Sequence, residues 1–375
     1  MIYIFLFIAV IYFLLILIFI VGFDKIKLIQ NKNAPHKNKF SIIIPFRNEA
    51  HNLSNLLTSL YNLNYPANYF EVFLIDDNSS DNYLDVINSF TTKSGALSIR
   101  ILRNSETIDS PKKNALNLGI KNASFDWIVT TDADCIVPEN WLNLFNQQIE
   151  EKQSVFISAP VKFTNKNGLL FHFQNLNFIS LIGSTIGSFG INKPFMCNGA
   201  NLCYNKSAFL QVDGFQGNSE IASGDDVFLL QKMKAIFPSK ISYLKSEESI
   251  VETRSENNIN SFLNQQIRWA SKSTAYKNWF SKFVGISVLA INLALIISLV
   301  TTIIDLVFWK FLFLIFFQKL FFDFLLIYKT ATFLKSTQSL KYYIFTSIVY
   351  PFFIIFIGII SLFKNYEWKG RVFKK

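Results

Sequence analysis

The chain has 375 residues, of which 51% are hydrophobic and 16% aromatic, with 41 Phe and a formal net charge of +10. That apolar share excludes a purely soluble enzyme, while the acidic and turn-forming residues of the middle region exclude a protein made of membrane spans alone. The lysines stand beside apolar runs rather than on an aromatic-interleaved patch, which argues against nucleic acid as a partner, and Cys135, Cys197 and Cys203 follow no metal-ligand spacing and read as packing residues.

The first element in chain order is the run Ile2 to Phe23, uncharged and long enough to cross a hydrocarbon core of about 30 Å as a helix. A cleaved signal peptide is the weaker alternative, because no basic residue precedes the run and no small-x-small site follows it. Asp24 is followed by Lys25, Lys27, Lys32, Lys37 and Lys39, which by the positive-inside tendency leaves the N-terminus outside and the next domain in the cytoplasm. "FSIIIPFRNEA" then reads as a buried strand, Ile42 to Ile44, stopped by Pro45. "HNLSNLLTSLYNL" reads as a helix with Leu53, Leu56, Leu57 and Leu60 on one stripe. "FEVFLIDDNSSD", "LSIRILRN" and "DWIVTTDADC" repeat the strand pattern, which predicts a mostly parallel sheet flanked by helices. Ligands of such sheets bind at the carboxyl ends of strands. There the chain places Arg47, Asn48 and Glu49, then Asp76 and Asp77, then Asp132 and Asp134.

Ahead of the C-terminal apolar region, "INSFLNQQIRWASKSTAYKNWFSKF" mixes aromatic and basic residues as an interfacial helix does, with Gln265 and Arg268 one turn apart. Apolar runs return at Phe283 to Phe308, Phe311 to Tyr328 and Tyr342 to Phe363, three further candidate spans. The connection Lys329 to Lys341 carries lysines and belongs in the cytoplasm, which fits an outward span followed by an inward one. The basic tail Lys364 to Lys375 wants the same side, yet a full last span would deliver it outside. Either Pro351 breaks the last segment into a re-entrant or interfacial piece, or one span is misassigned.

The pair Asp132 and Asp134 closes an otherwise apolar strand. On extended backbone the two carboxylates face one side, and their repulsion calls for a cation; the bland alternative is a solvated turn in which Asp132 caps the next helix.

Seven segments in order, from about Phe40 to Trp269, carry a resemblance: "SIIIPFRNEA", "LIDDNSSD", "KKNALNLGI", "TTDADC", "NGANLCYNKSAFLQVDGF", "SGDDVFLL" and "QQIRW". They resemble the motifs of the family 2 glycosyltransferases in their membrane-bound branch, which includes cellulose, chitin and hyaluronan synthases and the ceramide glucosyltransferases. The resemblance implies a GT-A fold, a nucleotide-diphosphate sugar donor, a divalent cation and transfer with inversion at the anomeric carbon. It implies that Asp132 and Asp134 hold Mg²⁺ or Mn²⁺ at the donor diphosphate, with Asp132 also on the donor side, and that Lys112 balances diphosphate charge. Pro45, Phe46 and Asp76 match the base-binding end, where Asp76 would accept the ring N–H of uracil and so favours a UDP-sugar. Glu49 orients that loop or caps a helix, and Asp77 with Asn78 also reads as an Asx turn.

By the same resemblance Asp226 matches the general base, with Gly224 and Asp225 where Ser or Thr and Glu are usual. That departure leaves Asp225 as a competitor, and the bland reading of Asp226 is a capping residue before a helix from Val227 to Lys234. In "QQIRW", Gln265 joins Arg268, which would neutralise the leaving diphosphate, and Trp269, which would stack on the acceptor sugar or close the pocket.

The expected architecture is α/β, a GT-A domain with N- and C-terminal transmembrane helices. It comprises a signal anchor over 1–23, a basic linker over 24–39, the GT-A domain over 40–245, interfacial helices over 246–282, about three spans over 283–363 and a basic tail over 364–375. The expected function is inverting transfer from a nucleotide-diphosphate sugar to a lipid-linked or membrane-associated glycan acceptor, at the cytoplasmic face of a bacterial inner membrane. A processive polysaccharide synthase is the alternative, against which the few spans, rich in Phe, Ile and Leu, speak. A catalytically inactive scaffold is the second, opposed by retention of every acid and of Arg268. The loop expected around Phe163 to Ile191 carries no readable motif, and its shape is expected to set specificity.

Overall fold

The computed structural model describes residues 2–32, 34–94, 97–105, 110–217, 224–273 and 278–373. In chain order, α1 (Ile2–Lys25) is followed by β1 (Phe40–Phe46), α2 (Ala50–Tyr61), β2 (Phe70–Asp76), α3 (Tyr83–Ser94), β3 (Ile99–Arg103), α4 (Pro111–Asn122) and β4 (Trp127–Thr130). Next come α5 (Trp141–Lys152), β5 (Phe156–Ser158), β6 (Val161–Phe163), α6 (Leu169–Gly190), β7 (Leu202–Asn205), α7 (Lys206–Gln211), α8 (Asp225–Ile236), β8 (Ile241–Tyr243) and β9 (Val251–Thr253). The remainder is α9 (Ile259–Ser273), α10 (Trp279–Ile304), α11 (Trp309–Phe333), α12 (Tyr343–Phe363) and a hairpin of β10 (Tyr366–Trp368) and β11 (Arg371–Phe373). Ser223 of "SGDDVFLL", residues 274–277 of the interfacial segment and the last two lysines of the tail lie outside the described residues. The chain forms two compact units: a sheet unit of Lys27–Thr164 with Met196–Arg254, and a helical unit of Met1–Ile26, Asn165–Phe195 and Ser255–Lys375.

In the sheet unit seven strands run in the order β3-β2-β1-β4-β7-β5-β8. Pairings β1/β2, β1/β4, β2/β3 and β5/β8 are parallel, and only β7 runs against its neighbours, so the sheet is mostly parallel as its repeating strand and helix pattern predicts. Both faces of β1 are covered, and Phe40, Ile42, Ile43 and Ile44 have no exposed surface, which is why this strand reads as a continuous apolar run instead of an alternating one. The predicted stripe Leu53, Leu56, Leu57 and Leu60 of α2 is likewise fully buried. The strand order turns at β1 and β4, whose carboxyl ends carry Pro45 and Phe46 and lead to Asp132 and Asp134. A second, two-stranded sheet pairs β6 with β9 in parallel. The basic linker is tied to α5: Lys32 and Lys37 pair with Glu151 and Glu150 at 2.9 and 2.7 Å, and the backbone of Lys37 and Asn38 donates to Asn146 Oδ1.

Among its described residues the helical unit contains four helices long and apolar enough to cross a membrane, over Tyr3–Lys25, Trp279–Ile304, Leu306–Phe333 and Thr337–Phe363. Where the sequence suggests a loop around Phe163 to Ile191, the chain forms the 22-residue helix α6, because its apolar residues and glycines pack on α1 and α11. A β-carbon on Gly187 would lie 2.5 Å from the Phe19 carbonyl oxygen, one on Gly190 1.8 Å from that of Gly22, and one on Gly183 against Thr330. Close approach of this kind is how apolar helices gain contact where lipid competes for every apolar side chain. Helix α12 continues through Pro351, so the break that the sequence suggested there does not occur. Lys319 and Asp323 of α11 pair with each other, Tyr12 donates to Asp323 Oδ1 at 2.7 Å, and the Lys319 ammonium stands over the rings of Tyr12 and Tyr350 at 5.6 and 5.4 Å.

Replacement of Gly190 by Ala is expected to cost about 1–3 kcal/mol, because the new methyl meets backbone that cannot swing aside. Thermal unfolding in detergent should show the loss, while Gly285→Ala, whose β-carbon meets nothing within 4 Å, should unfold like the unaltered chain.

Candidate active site

Strand β4 ends at Thr130, and the chain turns over Asp132 to Cys135, where the Cys135 N–H donates to the Asp132 carbonyl at 3.1 Å. The acid pair therefore sits in a turn beyond the strand, not on extended backbone. The turn keeps each carboxylate in the other's field all the same. Burial first, and then the Asp132 charge, push the Asp134 carboxyl above its ordinary value, while a hydrogen bond from Thr253 Oγ1 to Asp134 Oδ2 at 3.1 Å opposes the rise. Lys112, in the first turn of α4 behind Pro111, donates its Nζ to Asp132 Oδ1 at 2.6 Å. Burial alone would lower the Lys112 ammonium, but the carboxylates of Asp132, Asp225 and Asp226 outweigh it and hold the value above the usual lysine range. One ammonium thus stands among acids from two separate segments.

Asp225 and Asp226 open α8. The residue ahead of them, Gly224, caps the helix at φ +84°, a left-handed conformation that glycine adopts without strain, and this accounts for glycine where Ser or Thr is usual in the motif. Asp226 is half-buried: Oδ2 accepts the Gly199 N–H at 3.0 Å and Oδ1 accepts the Val227 N–H at 2.8 Å. Each oxygen retains lone-pair capacity for a further donor. Gly199 is held from its other side, its carbonyl accepting from Thr130 Oγ1 at 2.8 Å, so the "NGAN" segment links the end of β4 to α8. Asp225 is buried.

At the other end of the sheet edge, the β1/β2 register sets Phe46 beside Asp76 and Pro45 beside Ile75. Asp76 is buried; Oδ1 accepts the Ser79 N–H at 2.8 Å and Oδ2 the Tyr83 hydroxyl at 3.0 Å, and the Tyr83 ring meets Phe46 edge-on at 4.9 Å. Asp76 thus makes a side-chain turn with Ser79, and Asp77 accepts from Asn104 Nδ2 at 3.0 Å. Glu49 stands at the N-cap of α2 without a side-chain capping bond, and its Oε2 accepts from Asn52 Nδ2 at 2.5 Å. The sheet unit brings together Lys112, Asp132, Asp134, Asp225 and Asp226, and pairs Phe46 with Asp76. Gln265, Arg268 and Trp269 belong to α9 of the helical unit, where Gln265 Nε2 donates to Glu256 Oε1 at 3.2 Å and the Trp269 ring lies 6.3 Å from Phe178.

The model for Glycosyl transferase family 2 matches residues 41–211, and that for Glycosyl transferase family group 2 matches residues 127–360, more than half of the chain. The chain belongs to glycosyl transferase family group 2. A poly-β-1,6-N-acetyl-D-glucosamine synthase of Staphylococcus epidermidis is 23% identical to this glycosyltransferase over 250 residues, 66% of this chain and 57% of the relative. One of Staphylococcus aureus strain COL is 28% identical over 153 residues, 40% of this chain and 35% of the relative. The glycosyltransferase therefore matches about half or less of the length of these relatives. Among solved structures, the mannosyltransferase PcManGT of Pyrobaculum calidifontis, in complex with GDP-Man and Mn²⁺, is similar at TM-score 0.60 and 14% identity, over 96% of this chain and 99% of that one. The GT-A fold implied by the motifs is the fold observed.

Sequence reading passed over Thr253 and Tyr83. Neither stands in a motif of acids, and Thr253 reaches Asp134 only because β9 returns beside β6, 119 residues along the chain. The raised Asp134 carboxyl has a consequence for stability. An acid whose folded value exceeds its unfolded one opposes folding once ionised; the penalty is absent below the unfolded value and complete above the folded value. Asp134→Asn in this glycosyltransferase is therefore expected to raise Tm at pH 7. The gain should vanish as pH falls below about 4, where the unfolded carboxyl is protonated, and thermal unfolding across pH will measure it.

Proposed function

We propose that this glycosyltransferase moves a sugar, with inversion, from a UDP-sugar to a lipid-linked or membrane-associated glycan acceptor at the cytoplasmic face of a bacterial inner membrane. The observation that carries the reading is the convergence of Lys112, Asp132, Asp225 and Asp226, with Asp134 beside them, at the carboxyl edge of the sheet. The lysines after α1 and the four apolar helices support the membrane placement. The names of the relatives make UDP-N-acetylglucosamine the first donor to test.

Asp132 and Asp134 fit a hard divalent cation. Both present carboxylate oxygens; burial and then their mutual repulsion raise Asp134, and a cation would offset both. Among the described residues no group of three His, Cys, Asp or Glu side chains could hold a metal, so the pair would share Mg²⁺ or Mn²⁺ with diphosphate oxygens and water. Bound there, the ion supplies charge neutralisation for the departing diphosphate. The chain's own residues do the rest. Lys112 offers a second cation to the diphosphate, with Asp132 holding its ammonium in place. Asp226 takes the proton of the acceptor hydroxyl as that oxygen bonds to the anomeric carbon and the bond to the diphosphate breaks. Asp76, Pro45 and Phe46 receive the base, with Glu49 ordering the loop behind them. Gln265 and Trp269 serve the acceptor, and Arg268 neutralises the leaving group.

Processive synthesis is the second reading, favoured by the synthase names of the relatives. Membranes incubated with a panel of radiolabelled nucleotide sugars and extracted separately for lipid and polymer distinguish the two. Label in the lipid fraction supports transfer to a lipid acceptor, and label in long polymer supports the second reading.

Asp226→Asn is expected to lower transfer by about 10²-fold or more while nucleotide binding stays near its original strength, since shape is kept and only the proton acceptor is lost. Isothermal titration with UDP and Mn²⁺ beside the transfer assay decides it; near-normal transfer would move the base to Asp225. Asp132→Asn and Asp134→Asn should each abolish the cation dependence of donor binding, and binding that survives chelator unchanged in the unaltered protein would sink the metal assignment.

A further inference from the structure

The basic C-terminal segment folds back onto α9. Strand β10 lies against that helix, and Phe373 at the end of β11 packs with Leu263, Ala270, Phe353 and Ile360 onto the buried pair Ile267 and Ile357. Leu263, Ile267 and Ala270 are spaced i, i+4, i+7 and form one stripe of α9. Gln265 and Trp269 stand two residues to either side of Ile267, about 200° round a helix of this pitch, so the stripe that the hairpin covers is opposite the face that carries them. The helix is gripped elsewhere too: the Phe262 ring stacks on Phe353 at 5.3 Å, and Asn177 Nδ2 donates to Gln266 Oε1 at 3.1 Å. Ile357 and Ile360 of α12 and Phe373 share this cluster with Leu263, Ile267 and Ala270 of α9, so the chain end lies beside α9.

A 15-residue amphipathic helix has little stability of its own, and its rotation about its axis is set by whatever its apolar stripe packs against. We propose that the C-terminal hairpin is a positioning device for α9, in which β10 beside the helix and Phe373 on the Ile267–Ile357 pair set the angle at which the helix presents Gln265, Arg268 and Trp269. The proposal rests on the assignment of those three residues to sugar transfer above. Phe373 is a positioning residue: it acts through α9 and touches no substrate.

The full chain in nanodiscs, assayed with radiolabelled UDP-N-acetylglucosamine and titrated with UDP and Mn²⁺, tests it through Phe373→Ser, Phe373→Leu, Arg268→Ala and the double variant Phe373→Ser with Arg268→Ala. Phe373→Ser should lower kcat on the order of tenfold to a hundredfold, the effect of a misplaced catalytic element, with KM for the donor and UDP binding within about twofold of the original. Phe373→Leu, which restores an apolar contact, should recover most of the rate. In the Arg268→Ala background Phe373→Ser should cost little more, because both changes remove the same contribution. Full kcat in Phe373→Ser beside an impaired Arg268→Ala overturns the proposal alone. Additive losses, or loss of UDP binding together with kcat, overturn it as well, since they mark general destabilisation. Arg268→Ala at the original rate would instead overturn the assignment of α9 to transfer.

Discussion

Like charge gathered at the carboxyl edge of a buried sheet is the constraint on which the sheet unit depends. Asp132 and Asp134 share one turn, and the cost is visible at Asp134, whose carboxyl is pushed up by burial and by its neighbour. Lys112 relieves one member of the pair at 2.6 Å, and Thr253 steadies the other. Such an arrangement persists only on a stiff base, and β1 supplies it with a run of side chains that have no exposed surface. In the proposed reading, a bound cation would relieve the repulsion that the fold leaves.

The opening of α8 shows how backbone conformation and chemistry are joined. Gly224 at φ +84° lets the chain enter the helix with two acids in its first turn, where backbone N–H groups and the helix dipole favour negative charge. The same geometry gives Asp226 two backbone donors and leaves it half-buried, while Asp225 is buried. Neighbouring carboxylates are thereby placed in different surroundings, the usual basis for division of labour between acids.

The helical unit obeys a different constraint. Apolar helices gain nothing from burying leucine that lipid would not also give, so they associate through close backbone approach and internal polar contacts. The glycines at 22, 187 and 190 supply the first, and Tyr12, Lys319 and Asp323 supply the second. The tail hairpin adds a contact of the ordinary kind, an aromatic ring on a buried isoleucine.

The amino-acid sequence by itself determined the apolar runs, the alternation of strands and helices and the place of each acid near a strand end, because these are local patterns written in adjacent residues. Leu53, Leu56, Leu57 and Leu60 declare their buried face through spacing. Tertiary structure alone decided that the Asp132 turn meets Lys112 and Thr253, that Asp76 accepts from Ser79 and Tyr83, that a helix over 169–190 packs on α1, and that α12 runs unbroken through Pro351. These depend on which distant segments are brought side by side. Thr253 and Phe373 carry no signature of their own, since a hydroxyl or a ring acquires its role only from the partner that the fold sets against it.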